Sequence, residues 1–66
     1  RLKVNKEKFN VGDLVGHRTE DGLGVLLEFD WLREHRVALV HFTNKAKANW
    51  YLVDQHLENV QMEGAN

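Results

Sequence analysis

Sixty-six residues allow one small domain, and a chain of this size buries only about 60% of its unfolded surface, so its core must be economical. The absence of cysteine excludes disulfides, thiolate nucleophiles and thiolate zinc sites, and it points to a reducing, cytoplasmic setting. No apolar run approaches the ~20 residues that span a bilayer and nothing resembles a signal peptide, so no membrane role is expected.

The net charge of −1 conceals an asymmetry. Residues 1–8 carry Arg1, Lys3, Lys6 and Lys8 against Glu7, a net +3, whereas the remaining five cations face nine carboxylates, a net −4. Such an arm reads either as a flexible, solvated end or as a weak contact to nucleic-acid phosphates.

From Phe9 the chain reads as globular. Asn10 and Gly12-Asp13 make a tight approach to a first strand at about residues 14–18. Asp21-Gly22 is the strongest turn signal, and Gly24 follows it as a second position for positive φ or close approach, so residues 11–29 are expected to form a bent, bulged β-hairpin. The second strand is expected at 24–30. Residues 31–35, WLREH, are too short for an independent helix and read as a charged projecting loop.

Residues 36–42, RVALVHF, form a third strand, with Ala38, Val40 and Phe42 on the core face and Val37, Leu39 and His41 on the other. The polar stretch 43–48 suits a connection and 49–53, NWYLV, a fourth strand. Residues 54–57 suit a single 3₁₀ turn with Asp54 capping the following amides, before a fifth strand at 58–62 and a disordered tail at 63–66. The expected fold is therefore all-β: a small five-stranded antiparallel SH3-like barrel over residues 9–62, with a short 3₁₀ turn before the last strand. Val15, Val25, Leu27, Val40, Phe42, Leu52, Leu57 and Val60 are its core candidates, each contributing about 1.5–3 kcal/mol on burial.

The pattern Gly12-Asp13-x-Val15-x-His17, Gly22-x-Gly24-Val25, Val40-His41-Phe42 and Leu57-Glu58-x-Val60 resembles the Tudor-like and KOW-like members of the SH3-like barrels. Among these it is similar to the C-terminal Tudor-like domain of UvrD-type helicases and to the polymerase-binding domain of CarD-like regulators. The resemblance spans residues 11–60 and rests on short, glycine-based structural motifs. It implies a barrel that performs no chemistry and binds protein, RNA polymerase among the partners, or lies beside nucleic acid. Asn49-Trp50-Tyr51-Leu52 departs from that pattern. Trp50-Tyr51 followed by Leu57-Glu58-Asn59-Val60 also resembles the last strands of ordinary SH3 domains, but the aromatic RT loop and the groove proline of polyproline binders are missing.

Catalytic material is scarce, since serine is absent along with cysteine and Thr19 beside His17 and Asp21 reads as a turn former. No enzymatic activity is expected. His17, His35, His41 and His56 show neither i, i+2 nor i, i+4 spacing, and a His17–His41 pair across the sheet would lack a third ligand, so neither a metal nor another cofactor is expected. The aromatic residues Trp31, Trp50, Tyr51, Phe29 and Phe42, with Glu28, Asp30 or Asp54 at the rim, are the material of a cage for methylated cations. With Phe29 and Phe42 in the core, Trp31, Trp50 and Tyr51 remain as a partner surface, the two tryptophans approaching one another across one side of the barrel and both partly exposed.

The leading expectation is a non-enzymatic protein-interaction module that contacts its partner through Trp31, Trp50 and Tyr51. A second reading is a nucleic-acid-associated accessory domain using Arg1, Lys3, Lys6, Lys8, Arg18, Lys45 and Lys47. A third is a structural or homo-oligomeric protein of a phage or other compact genome.

Overall fold

The computed structural model describes residues 8–60, so the basic arm before Lys8, the expected end of the fifth strand and the tail lie outside the described residues. Within them the chain is all-β, with five antiparallel strands: β1 (Leu14–His17), β2 (Leu23–Leu32), β3 (His35–Phe42), β4 (Asn49–Leu52) and β5 (Leu57–Asn59). One helical turn, α1 (Val53–His56), separates the last two strands. The strand order is β4-β3-β2-β1-β5, a meander whose final strand returns beside the first.

The connection through α1 dictates the shape. In a flat five-stranded sheet the outer strands would lie about 19 Å apart, whereas four residues of helix advance about 6 Å. The sheet must curl until β4 and β5 approach each other. His17 of β1 and Tyr51 of β4, separated by two strands in the sheet order, accordingly sit with ring centroids 5.7 Å apart. The curl is compatible with a small barrel, but the sheet is not closed, because β4 and β5 are not paired.

Two turns fix the entry to β1 and the first hairpin. The Asp13 N–H donates to the Asn10 carbonyl at 3.0 Å, the Asn10 N–H donates to Asp13 Oδ2 at 2.9 Å, and Gly12 between them has φ +96°. A positive φ at this position is what a type II turn demands. In the β1–β2 connection Gly22 has φ +117°, and an added Cβ would lie 2.9 Å from Asn44 Oδ1, whose amide Nδ2 donates to the Asp21 carbonyl at 3.3 Å. Gly22→Ala is expected to cost about 1–3 kcal/mol in urea melts. Adding Asn44→Ala should recover the steric share alone; full recovery would show that backbone conformation is not the cause.

The core consists of Phe9, Val15, Leu26, Ala38, Val40, Phe42, Val53 and Leu57, with Phe29 and Tyr51 packed against it. The Ala38-Val40-Phe42 face of β3 is inside, as its sequence indicates. In β2 the phase differs from expectation: Leu26 is fully buried, while Val25 and Leu27 are exposed at 39% and 44%. Gly24 and Leu26 face the buried Phe42 and Val40, so Val25 and Leu27 alternate outward, and a bulge re-phases the strand beyond them. Leu26 pairs with Val40 but Glu28 pairs with Leu39, so Leu27 is the extra residue of a β-bulge. Gly24, Leu26 and, beyond the bulge, Phe29 therefore point inward. Leu52 and Val60, also expected in the core, are half-buried.

Three further boundaries differ. Residues 31–35 are not a loop: β2 runs through Leu32, which pairs with His35 across the two-residue turn Arg33-Glu34, where Arg33 takes φ +62°. The turn before β5 is α-helical, with the Leu57 N–H donating to the Val53 carbonyl, and Asp54 lies inside it without making a cap. The β-bulge lies in the β2–β3 pairing; the short β1–β2 ladder is regular.

Candidate functional site

The pleat sorts the candidate residues onto two faces. Rows Val15↔Gly24↔Phe42, Leu26↔Val40↔Asn49 and Phe29↔Ala38↔Tyr51 carry the buried residues and define the inner face. Gly16↔Leu23, Leu14↔Val25↔His41, Glu28↔Leu39↔Trp50 and Asp30↔Val37↔Leu52 are the rows of the outer, convex face.

This divides the expected partner site. Trp50 and Tyr51 are consecutive in a strand and so point in opposite directions. Trp31, two residues beyond Phe29, follows the inner face toward the end of the β2–β3 hairpin. Both tryptophans are exposed, at 64% for Trp31 and 47% for Trp50, but they do not share a surface. Nor do the five aromatic residues form one cage. The Arg36 guanidinium lies 4.6 Å from the Phe29 ring centroid, so that face already carries an internal cation.

The inner-face aromatic cluster has other members. Phe42 and Tyr51 meet edge to face at 5.3 Å, and His17 packs against both. His56, delivered by α1, stacks on His17 at 5.4 Å and 13°. The His17 Nδ1 accepts the Thr19 N–H at 3.2 Å, so the neutral ring carries its proton on Nε2. His17 thus bonds the hairpin backbone, and its histidine neighbour is His56. His41 instead stands on the outer face within hydrogen-bond distance, 3.1 Å, of the Lys45 carbonyl. The His17–His56 stack was not legible from spacing, because it depends on α1 folding back beneath β1. Among the described residues no group of three or more His, Asp or Glu side chains gathers in a metal-binding arrangement.

The cations expected to meet phosphates are dispersed. Lys45 Nζ lies 3.5 Å from Glu20 Oε1 and Lys47 is in the same β3–β4 connection, whereas Arg18 follows β1 and Lys8 precedes Phe9. The Lys8 carbonyl accepts from Asn59 Nδ2, tying the start of the described chain to β5. A shallow depression lined by His35, Arg36, Leu52, Asp54 and Gln55 has a volume of only about 10 Å³, far below the ~300–1,000 Å³ typical of small-molecule sites.

What stands out is the convex face. Leu14 and Val25 pair directly and are both exposed; Leu23 lies beside Gly16, Leu27 protrudes at the bulge, and Trp50 pairs with Leu39. Gly16 presents no side chain, so Glu58 and Val60 reach over it, their nearest atoms 3.5 Å from where its Cβ would stand. Compared with protein-family models, with curated proteins and with solved structures, the chain gives no significant match. Among the described residues no helix is long and apolar enough to cross a membrane.

Proposed function

We propose that this domain is a non-enzymatic protein-interaction module of the SH3-like and Tudor-like kind, attached to transcription or DNA-processing machinery. The observation that supports it is the convex face, where five large apolar side chains, Leu14, Leu23, Val25, Leu27 and Trp50, are each about two-fifths or more exposed. Scattered apolar residues are ordinary on a protein surface, but side chains aligned in adjacent strand rows form a patch of the kind that marks interaction sites. Trp50, on the edge strand β4, is the natural anchor, because tryptophan is enriched among the residues that contribute disproportionately to affinity. Trp31 and Tyr51 belong to the other face and serve as a secondary contact and as core packing respectively.

The strand order, the helical turn before β5 and the glycine-rich first hairpin agree with the barrel family that the sequence resembles. RNA polymerase is accordingly the first partner to try. Trp50→Ala is expected to weaken binding to purified RNA polymerase by about 2 kcal/mol or more, while its cost to folding stays at about 1 kcal/mol or less, the scale of one cross-strand pair. Surface-immobilised polymerase and urea melts measure the two quantities. Equal affinity of the variant and the parent would remove Trp50 from the interface, and loss of fold would make it a structural residue.

A further inference from the structure

We propose that the convex face takes a cationic amphipathic polypeptide segment, one that presents lysine or arginine together with large apolar residues along a single face. This rests on the interaction-module reading and names the chemistry of its partner. The outer rows mix large apolar groups with one sign of charge. Glu58 flanks Gly16 and Leu23, Glu28 stands in the row of Leu39 and Trp50, and Asp30 in the row of Val37 and Leu52. The remaining row, Leu14↔Val25↔His41, carries no carboxylate.

Among the described residues no lysine or arginine occupies an outer strand position. Arg36 is on the inner face over Phe29, and Arg33 and Glu34 form the distal hairpin turn. Lys45 and Lys47 are in the β3–β4 connection, where Lys45 pairs with Glu20, and Arg18 lies one residue beyond β1. Each of the three carboxylates is exposed and stands beside an apolar neighbour. A partner that brings only apolar groups would desolvate them without compensation, and an acidic partner, nucleic acid included, would add repulsion. An extended segment whose one face carries both cations and large apolar side chains, at every second residue, matches both components at the spacing of strand rows. The carboxylates set which partner is accepted and how fast it arrives; the apolar rows and Trp50 hold it.

The test uses the full 66-residue chain, isotope-labelled for amide spectra. It is titrated with three synthetic twelve-residue peptides in which pairs of leucine alternate with pairs of lysine, of glutamate or of glutamine, so that each face of the extended peptide carries both residue types. The lysine peptide is expected to shift the amides of Leu14, Val25, Leu39 and Trp50 and to bind more tightly than the other two. Glu28→Gln combined with Glu58→Gln should weaken it about fivefold, as two rim charges allow, whereas Glu34→Gln in the hairpin turn should leave it unchanged.

Equal binding of all three peptides would overturn the charge preference and leave the face an interaction surface. Shifts lying off this face, or equal weakening by Glu34→Gln, would reduce the effect to diffuse attraction and overturn the proposal. Concentration-dependent shifts of the same amides without any peptide would give the face to a second copy of the chain. Failure of every peptide to bind would overturn the inference here, with the broader reading still decided by the polymerase measurement on Trp50→Ala.

Discussion

Leu26→Ala is expected to leave the chain largely unfolded at room temperature, whereas Val25→Ala and Leu27→Ala, on either side of it, should fold with nearly parental midpoints. Leu26 is fully buried and faces Val40, and its backbone is held twice more: its N–H donates to the Asp13 carbonyl and its carbonyl accepts from the Gly12 N–H. Removing three carbons there takes away transfer free energy and opens a cavity between rigid strands, a change that costs about 2–5 kcal/mol. A single core in a domain of this size rarely supplies more than about 3–5 kcal/mol in total, so one substitution consumes the reserve. Val25 and Leu27 lose partly exposed surface and open no cavity. Urea denaturation followed by tryptophan fluorescence ranks the three variants, and a Val25→Ala loss as large as that of Leu26→Ala would contradict the inward phase of Leu26.

The phase of β2 also explains what the sequence reveals and what it hides. β3 is legible because Ala38, Val40 and Phe42 alternate with Val37, Leu39 and His41, so either choice of face keeps a consistent pairing. In β2 the run Leu23-Gly24-Val25-Leu26-Leu27 is apolar throughout except at the glycine, and an unbroken run has no phase to read. Gly24 carries the missing information: it is buried and inward, which places Leu26 rather than Val25 on its face. The distal hairpin is equally silent, since Arg33-Glu34 contains none of the glycine, asparagine or aspartate that marks a two-residue turn. Arg33 adopts positive φ there because the long β2–β3 ladder enforces it.

The functional consequences follow from β2. With Val25 and Leu27 assigned inward, the convex face loses its middle, and the tryptophans become the natural candidates for a contact surface. With the register corrected, Leu14, Val25 and the Leu39–Trp50 pair lie in successive outer rows. The separation of Trp50 from Tyr51 is legible in the sequence, because period-two alternation alone puts neighbours on opposite faces. The location of Trp31 is not, since it depends on β2 continuing past Asp30.

Gly24→Ala is the second substitution expected to cripple the fold, for the opposite reason. A Cβ at Gly24 would stand 2.7 Å from Val40 Cγ1, 2.9 Å from Phe42 Cδ1 and 3.0 Å from the His41 carbonyl oxygen. Val40 and Phe42 are buried side chains and the third contact is backbone, so none of the three can swing aside as an exposed side chain would. Overpacking of this kind costs about 1–3 kcal/mol, and the backbone contact puts the expected loss at the upper end, near the whole stability of the domain. An unconstrained Gly→Ala change would instead stabilise by about 0.4–1 kcal/mol through the unfolded chain, so the two accounts differ in sign. Combining Gly24→Ala with Val40→Ala separates the contributions: the double variant should lose less than the two single losses added together, because each change relieves part of the other. Additive losses in urea melts would mean that the Phe42 ring and the His41 backbone, not the Val40 side chain, resist the added methyl, and a more stable Gly24→Ala would refute the close approach of β2 to β3 on which the core is built.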